Sequence, residues 1–181
     1  MSFSFRVLQR DPESQARLGV IETPKGPVPT PVFMPVATQA TIKALLPEQV
    51  AEAGARIVLA NAYHLHLQPG EDVVAAQGGL HAFMRWPHLI ITDSGGYQVF
   101  SLPNRQISEE GVRFQVEKDG RAVTLSPESS MAIQEQLGAD IAMAFDECVA
   151  FPAPYDYAKE AMERTVRWAQ RCKAAHRAPG Q

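Results

Sequence analysis

Apolar and polar positions change their period near residue 35. Before it they alternate. "FSFRVLQRD" and "ARLGVIET" place apolar side chains at every second position, and "PKGPVPTP" breaks the run. Period two interrupted by proline and glycine predicts an antiparallel ribbon over residues 1–35. After it, short apolar runs alternate with stretches of helical spacing. "VFMPV" (32–36), "ARIVLANAYHL" (55–65), "HLIITDSGG" (88–96) and "ADIAMAFDE" (139–147) predict strands, the last three ending in polar residues. "LPEQVAEAG" (46–54) predicts a helix that starts at Pro47 and stops at Gly54, and "GEDVVAAQGG" (70–79) predicts a short one. "SPESSMAIQEQLG" (126–138) predicts a helix capped by Ser126, with Pro127 at its first position and Gly138 at its end. "PYDYAKEAMERTVRWAQRCKAAH" predicts a long amphipathic helix with Ala161, Val166 and Trp168 among its apolar positions.

Residues 106–125 interrupt this alternation. "VRFQVEKDGRAVTL" predicts a hairpin turning at Asp119-Gly120, since a two-residue type I′ loop needs φ > 0. Strand, helix, strand, helix otherwise spells a parallel α/β architecture. Residues 1–35 then form a β-rich segment packed on a β/α unit over 36–181, with the hairpin as an insertion.

Composition narrows the class. The chain has 181 residues, 45% hydrophobic and 20% charged, with a net charge of −3. That suits a globular domain with a real core. No apolar run approaches the ~18 residues of a membrane span, and "MSFSFRVLQR" lacks the basic start and apolar stretch of a signal peptide. Two cysteines, Cys148 and Cys172, make neither a disulfide framework nor a metal spacing, so a reducing cytoplasm is expected. The acidic balance excludes a chain-wide basic surface but not a local one.

Chemistry clusters at strand ends. Asn61 with Tyr63 and His64, Asp93 with Ser94, and Asp146 with Glu147 each follow an apolar run. In a parallel sheet all C-terminal strand ends share one face, and in a β/α barrel that face carries the active site. Asp93 and Asp146 there suit acid/base work at a heterocycle or recognition of N–H donors on a base edge. The competing reading is that each acid caps the next helix. Gly95-Gly96 let the backbone turn tightly or let a ligand come close, and Tyr97 adds an aromatic face. His64 and His66, i and i+2 on a strand, would face the same way; packing is favoured over a metal pair, because no third ligand is near. Cys148 reads either as a small buried hydrophobe or as pocket wall, with no base to make it a nucleophile.

"NAYHLHLQPG", "TDSGGYQVFSL", "ISEEGVRF" and "LSPESSMAIQEQLGADIAMAFDEC" closely resemble the bacterial tRNA-guanine transglycosylases, and the resemblance covers nearly the whole chain. It implies a (β/α)8 TIM barrel preceded by an antiparallel sheet, of which this chain supplies about the first half. It implies exchange of guanine at the wobble position of G-U-N anticodon tRNAs for the queuosine precursor preQ1, by double displacement through an aspartate nucleophile. Asp93 then resembles the general acid/base. Asp93, Ser94, Gly95, Gly96 and Tyr97 resemble the substrate loop, with Tyr97 stacking on the base. Asp146 resembles the carboxylate that reads the guanine N1–H and amine, and Cys148 matches the bacterial pattern favouring preQ1. Structural zinc, a homodimer and the tRNA anticodon loop as partner follow from the same resemblance. Ala62, His66 and Gln68 depart from its pattern. A full barrel takes ~250 residues, so the nucleophile and the zinc ligands are expected beyond Gln181, with none substituting for them here. The alternative is a non-catalytic or truncated relative that keeps the base pocket.

Overall fold

The computed structural model describes residues 3–116, 120–178 and 181. The ribbon expected at the start is present. β1 (Ser4–Arg10), β2 (Arg17–Glu22) and β3 (Val28–Thr30) form an antiparallel sheet in that order. The chain then alternates: β4 (Val36–Ala37), α1 (Pro47–Glu52), β5 (Ile57–Ala60), α2 (Ala62–Leu67), α3 (Glu71–Ala76), α4 (Gly79–Met84) and β6 (Leu89–Thr92). α5 (Gly96–Ser101) leads into a second antiparallel sheet of β7 (Gln106–Ile107), β8 (Val112–Gln115) and β9 (Ala122–Leu125). α6 (Pro127–Leu137), β10 (Ile141–Ala142) and α7 (Tyr155–Ala175) follow. β4, β5, β6 and β10 make one parallel sheet in the order β10-β6-β5-β4, so the molecule is α/β with both parallel and antiparallel sheets.

That sheet is apolar on both faces, as the unbroken run "LIIT" requires; all of β6 is buried. Val58, Ala60 and Ile90 point into the main core with Leu80, Trp86, Val99, Phe145 and Trp168. Ile57, Leu89 and Ile91 point to the other face, where Val28 of β3 and the flanking Phe3, Ile21 and Met34 cover them. The N-terminal ribbon is thus a lid over one face of the parallel sheet. An ion pair adds a tether: Lys25 Nζ lies 2.6 Å from Asp140, whose other oxygen accepts from the Ile90 N–H at 2.8 Å.

Several sequence expectations need correction. The 55–65 strand ends at Ala60, because Asn61 caps a helix: its Oδ1 accepts from the His64 N–H at 3.1 Å. His64 and His66 therefore lie on α2, where residues two apart point to different sides. His66 pairs instead with Glu71, Nδ1 to Oε2 at 2.8 Å. Of 32–36 only Val36 pairs, since Pro31 and Pro35 bring no N–H to a ladder. The 70–79 helix stops at Ala76, and the unforeseen α4 starts at Gly79. The strand expected over 139–147 pairs only at Ile141 and Ala142. Val166 is 52% exposed; two residues from Trp168, it lies off the stripe that buries Ala161, Trp168 and Cys172. Ser126, Pro127 and Gly138 bound α6 as expected. The 106–125 hairpin forms in register Val112↔Leu125; Asp119 of its expected turn lies outside the described residues. Among the described residues no helix is long and apolar enough to cross a membrane.

Candidate active site at the strand ends

β6 ends at Thr92, and Asp93 follows it at the C-terminal edge of the parallel sheet, its N–H donated to Ala60 O of β5 at 3.2 Å. Both carboxylate oxygens are engaged. Asn61 Nδ2 donates to Oδ2 at 2.5 Å, and the Ala62 and Gly95 N–H groups donate to Oδ1 at 2.9 and 3.2 Å. Burial pushes the Asp93 carboxyl above the usual carboxylate range, outweighing those two backbone donors. An acid that holds its proton more firmly than a surface aspartate, yet is oriented by fixed donors, is suited to proton transfer.

The next four residues turn the chain from strand to helix. Gly95 takes φ 80°, which a side chain would resist, and Gly96 opens α5. Gly96 has a second constraint. A Cβ on it would stand 2.7 Å from Asp146 Oδ1 and 2.9 Å from the Asp146 carbonyl, so the absent side chain is where Asp146 lies. Ser94 Oγ donates to Asp146 Oδ1 at 3.4 Å and accepts the Gly96 N–H at 3.2 Å. Asp146 thus packs on the Asp93–Gly96 turn, and its charge adds to the upward pull on Asp93. Tyr97, 73% exposed on α5, presents its ring to solvent beside this turn.

Cys148 sits against the same carboxylate, Sγ to Asp146 Oδ2 at 3.5 Å. Burial, then the Asp146 charge, push its thiol up to about 11, so it stays protonated at neutral pH and is no nucleophile. It is half-buried wall of the site. Glu147, by contrast, does not reach the pocket. Its side chain is wholly buried against α7, bonded by Tyr157 Oη at 2.9 Å and by Arg164. The two neighbouring acids therefore lie in different settings, Asp146 on the glycine turn and Glu147 against α7.

Two residues that the sequence reading passed over fix the geometry from behind. Ser130 Oγ donates to Ser94 O at 2.8 Å. Gln134 bridges β6 and the extension of β10: Oε1 accepts from Thr92 Oγ1 and the Met143 N–H, each at 2.9 Å, and Nε2 donates to Met143 O at 2.9 Å. Both are buried on α6, in line with Pro127, Met131 and Leu137. Two polar residues at i and i+4 within an apolar stripe are the signal that could have found them. Among the described residues no group of three or more His, Cys, Asp or Glu side chains could hold a metal ion.

The site can therefore present two carboxylates and an aromatic ring to a flat heterocycle beside a glycine turn. Comparison with known proteins points the same way. The family model for queuine tRNA-ribosyltransferase matches residues 11–181. A protein of that name from Symbiobacterium thermophilum is 58% identical over 180 residues, 99% of this chain and 45% of its own. One from Acetivibrio thermocellus is 55% identical over 176 residues, 97% of this chain and 47% of its own. One from Staphylococcus epidermidis is 57% identical over 169 residues, 93% of this chain and 45% of its own. The chain spans about half the length of the curated relatives it matches.

Proposed function

The chain belongs to the queuine tRNA-ribosyltransferase family, and from that premise we propose that it forms the base-binding half of a tRNA-guanine transglycosylase. One observation carries the reading: Asp93, just after β6, and Asp146, in the segment that follows the adjacent parallel β10, converge on the Ser94–Gly96 turn. The sheet order supports a barrel. β4, β5, β6 and β10 lie side by side in chain order, as the first four strands of a (β/α)8 barrel would, without the reversal of a doubly wound sheet. Residues 1–35 are then its N-terminal sheet and 36–181 the first part of the catalytic barrel.

In this reading the departing guanine and the incoming preQ1 occupy the same place in turn. Asp146 accepts hydrogen bonds from N1–H and the exocyclic amine, a pair of parallel donors that a carboxylate matches with two oxygens. Gly95 and Gly96 let the ring approach the backbone, and the Tyr97 ring stacks on it. Asp93 gives a proton to the base as its bond to ribose C1′ breaks, and takes one from the base that replaces it. The covalent bond to C1′ is made by an aspartate outside this chain. Cytoplasmic location, a homodimer and zinc in the remaining part of the enzyme belong to the same proposal, and zinc is assigned no residue here. The test is exchange of labelled guanine into a G-U-N anticodon tRNA by the full-length enzyme. Asp146→Ala should raise the KM for guanine with little change in that for tRNA. Two lost bonds leave buried donors unpaired at ~2–4 kcal/mol, or roughly 30- to 1,000-fold. An unchanged KM for guanine would refute the assignment.

A further inference from the structure

Asp146 lies in a segment that has lost its strand partner. Beyond Ala142 the chain makes no further ladder with β6. Its N–H groups at every second residue go instead to side chains of the two helices behind. Met143 donates to Gln134 Oε1 at 2.9 Å, Phe145 to Cys172 Sγ at 3.3 Å and Glu147 to Thr165 Oγ1 at 3.0 Å. The side chains facing the same way are anchored to α7 too. Phe145 stacks on Trp168 with centroids 5.1 Å apart and planes at 22°. The Glu147 carboxylate takes Tyr157 Oη and Arg164, and Arg164 itself is only 12% exposed, with the more exposed Glu160 and, at 3.7 Å, Glu109 as its other partners.

We infer that the buried Glu147–Arg164 pair is a positioning device for Asp146, with α7 standing in for the missing strand and setting where the base-reading carboxylate lies. The inference rests on the proposed function for what Asp146 does. Its physical content is geometric. Asp146 is held between two residues, Phe145 and Glu147, that are both fixed to α7, and its own direct contacts are weak: 3.4 Å to Ser94 Oγ and 3.5 Å to Cys148 Sγ. A carboxylate must stand within about 0.3 Å of its place to keep two hydrogen bonds inside the 2.7–3.2 Å range. Neighbours with long contacts cannot enforce that, whereas a salt-bridged, wholly buried glutamate one residue along the backbone can. A buried ion pair adds little net stability over apolar groups of similar size; a specific geometry is what such a pair can contribute. Glu147 and Arg164 touch no reacting atom and are positioning residues, not catalytic ones.

The test separates position from stability. Glu147→Ala alone takes away the buried partner of Arg164 and the acceptor of Tyr157, and is expected to destabilise the enzyme. The double variant Glu147→Met with Arg164→Leu removes both charges and keeps the volume, so it should melt within a few degrees of the parent. In the full-length enzyme, the double variant should raise the KM for guanine about 10-fold or more. Its kcat at saturating guanine and its KM for tRNA should move less than about 3-fold. Amide hydrogen exchange at residues 145–147 should quicken in the double variant. Glu147→Asp, which keeps the charge on a shorter arm, should recover part of the guanine affinity. A folded double variant with the parent's KM for guanine overturns the inference, as does a uniform fall in all three constants, the mark of general destabilisation. A parent enzyme that exchanges no guanine overturns the proposed function, and this inference with it.

Discussion

Gly96→Ala is the sharpest perturbation the site offers, because it adds one methyl group at the point where Asp146 rests. The backbone of Gly96 is helical and outside the positive-φ region, so alanine is not strained there for conformational reasons. In a helix it would gain up to ~1 kcal/mol over glycine. The cost is steric. Its Cβ would stand 2.7 Å from Asp146 Oδ1, where ordinary contact begins at 3.4 Å, and 2.9 Å from the Asp146 carbonyl oxygen. Both the side chain and its backbone must therefore retreat by about 0.5–0.7 Å. A hydrogen bond of about 2.9 Å stretched by that amount passes beyond bonding distance. Two bonds to a charged acceptor, each worth ~1.5–3 kcal/mol, would be weakened together. A loss of about 3 kcal/mol corresponds to roughly 100-fold in the KM for guanine. Overpacking costs ~1–3 kcal/mol against the helix gain, so the variant should stay folded. The assay is steady-state exchange of labelled guanine at saturating tRNA, beside a thermal melt. A folded Gly96→Ala enzyme whose KM for guanine lies within about 3-fold of the parent's would refute both the packing argument and the role of Asp146.

Asp93→Asn should cut base exchange by about 10²-fold or more while shifting the KM for guanine far less; a trapped RNA adduct on Asp93 would show it to be the nucleophile instead. The Cys148 thiol, pushed up to about 11, should react with iodoacetamide at pH 7.5 at least ~10-fold more slowly than an ordinary exposed cysteine, and a fast reaction would show that it is not buried against Asp146. Glu128 is held at about 2 by hydrogen bonds from Arg171, at 2.7 and 2.8 Å, below its ordinary 4.5. A depressed carboxylate stabilises the fold above pH 4.5 and loses that contribution as pH falls toward 2. Since the Glu128 side chain is half exposed, screening leaves about 1 kcal/mol or less. Glu128→Gln should therefore lower urea stability at pH 6 and have little effect at pH 2.5; an equal effect at both would sink the ion-pair account.

What the sequence made legible follows from where each signal is stored. Ser126, Pro127 and Gly138 bound α6 because caps and stops act within a few residues of themselves. The apolar run over 89–92 announced a strand buried on both faces for the same reason. Asp93, Tyr97 and Asp146 stood out as candidates because a strand end followed by a turn is also a local pattern. Errors arose where a distant residue decides the outcome. "NAYHLHL" carries aromatic and branched side chains that suit a strand, yet Asn61 both caps α2 and donates to Asp93, two roles for one amide that only the folded chain displays. "ADIAMAFDE" alternates like a strand, but beyond Ala142 helix side chains and not a ladder take the N–H groups of Met143, Phe145 and Glu147. The setting of Glu147 was illegible for the related reason that its partners, Tyr157 and Arg164, lie on α7. The pattern behind these misses is consistent. The side chains that would touch the base sit on short local motifs, whereas the groups that aim them come from α6 and α7, which close over the strand ends only in three dimensions. Substitutions that retune base affinity without abolishing chemistry should therefore lie at Ser130, Gln134, Glu147 and Arg164, behind the site and not within it.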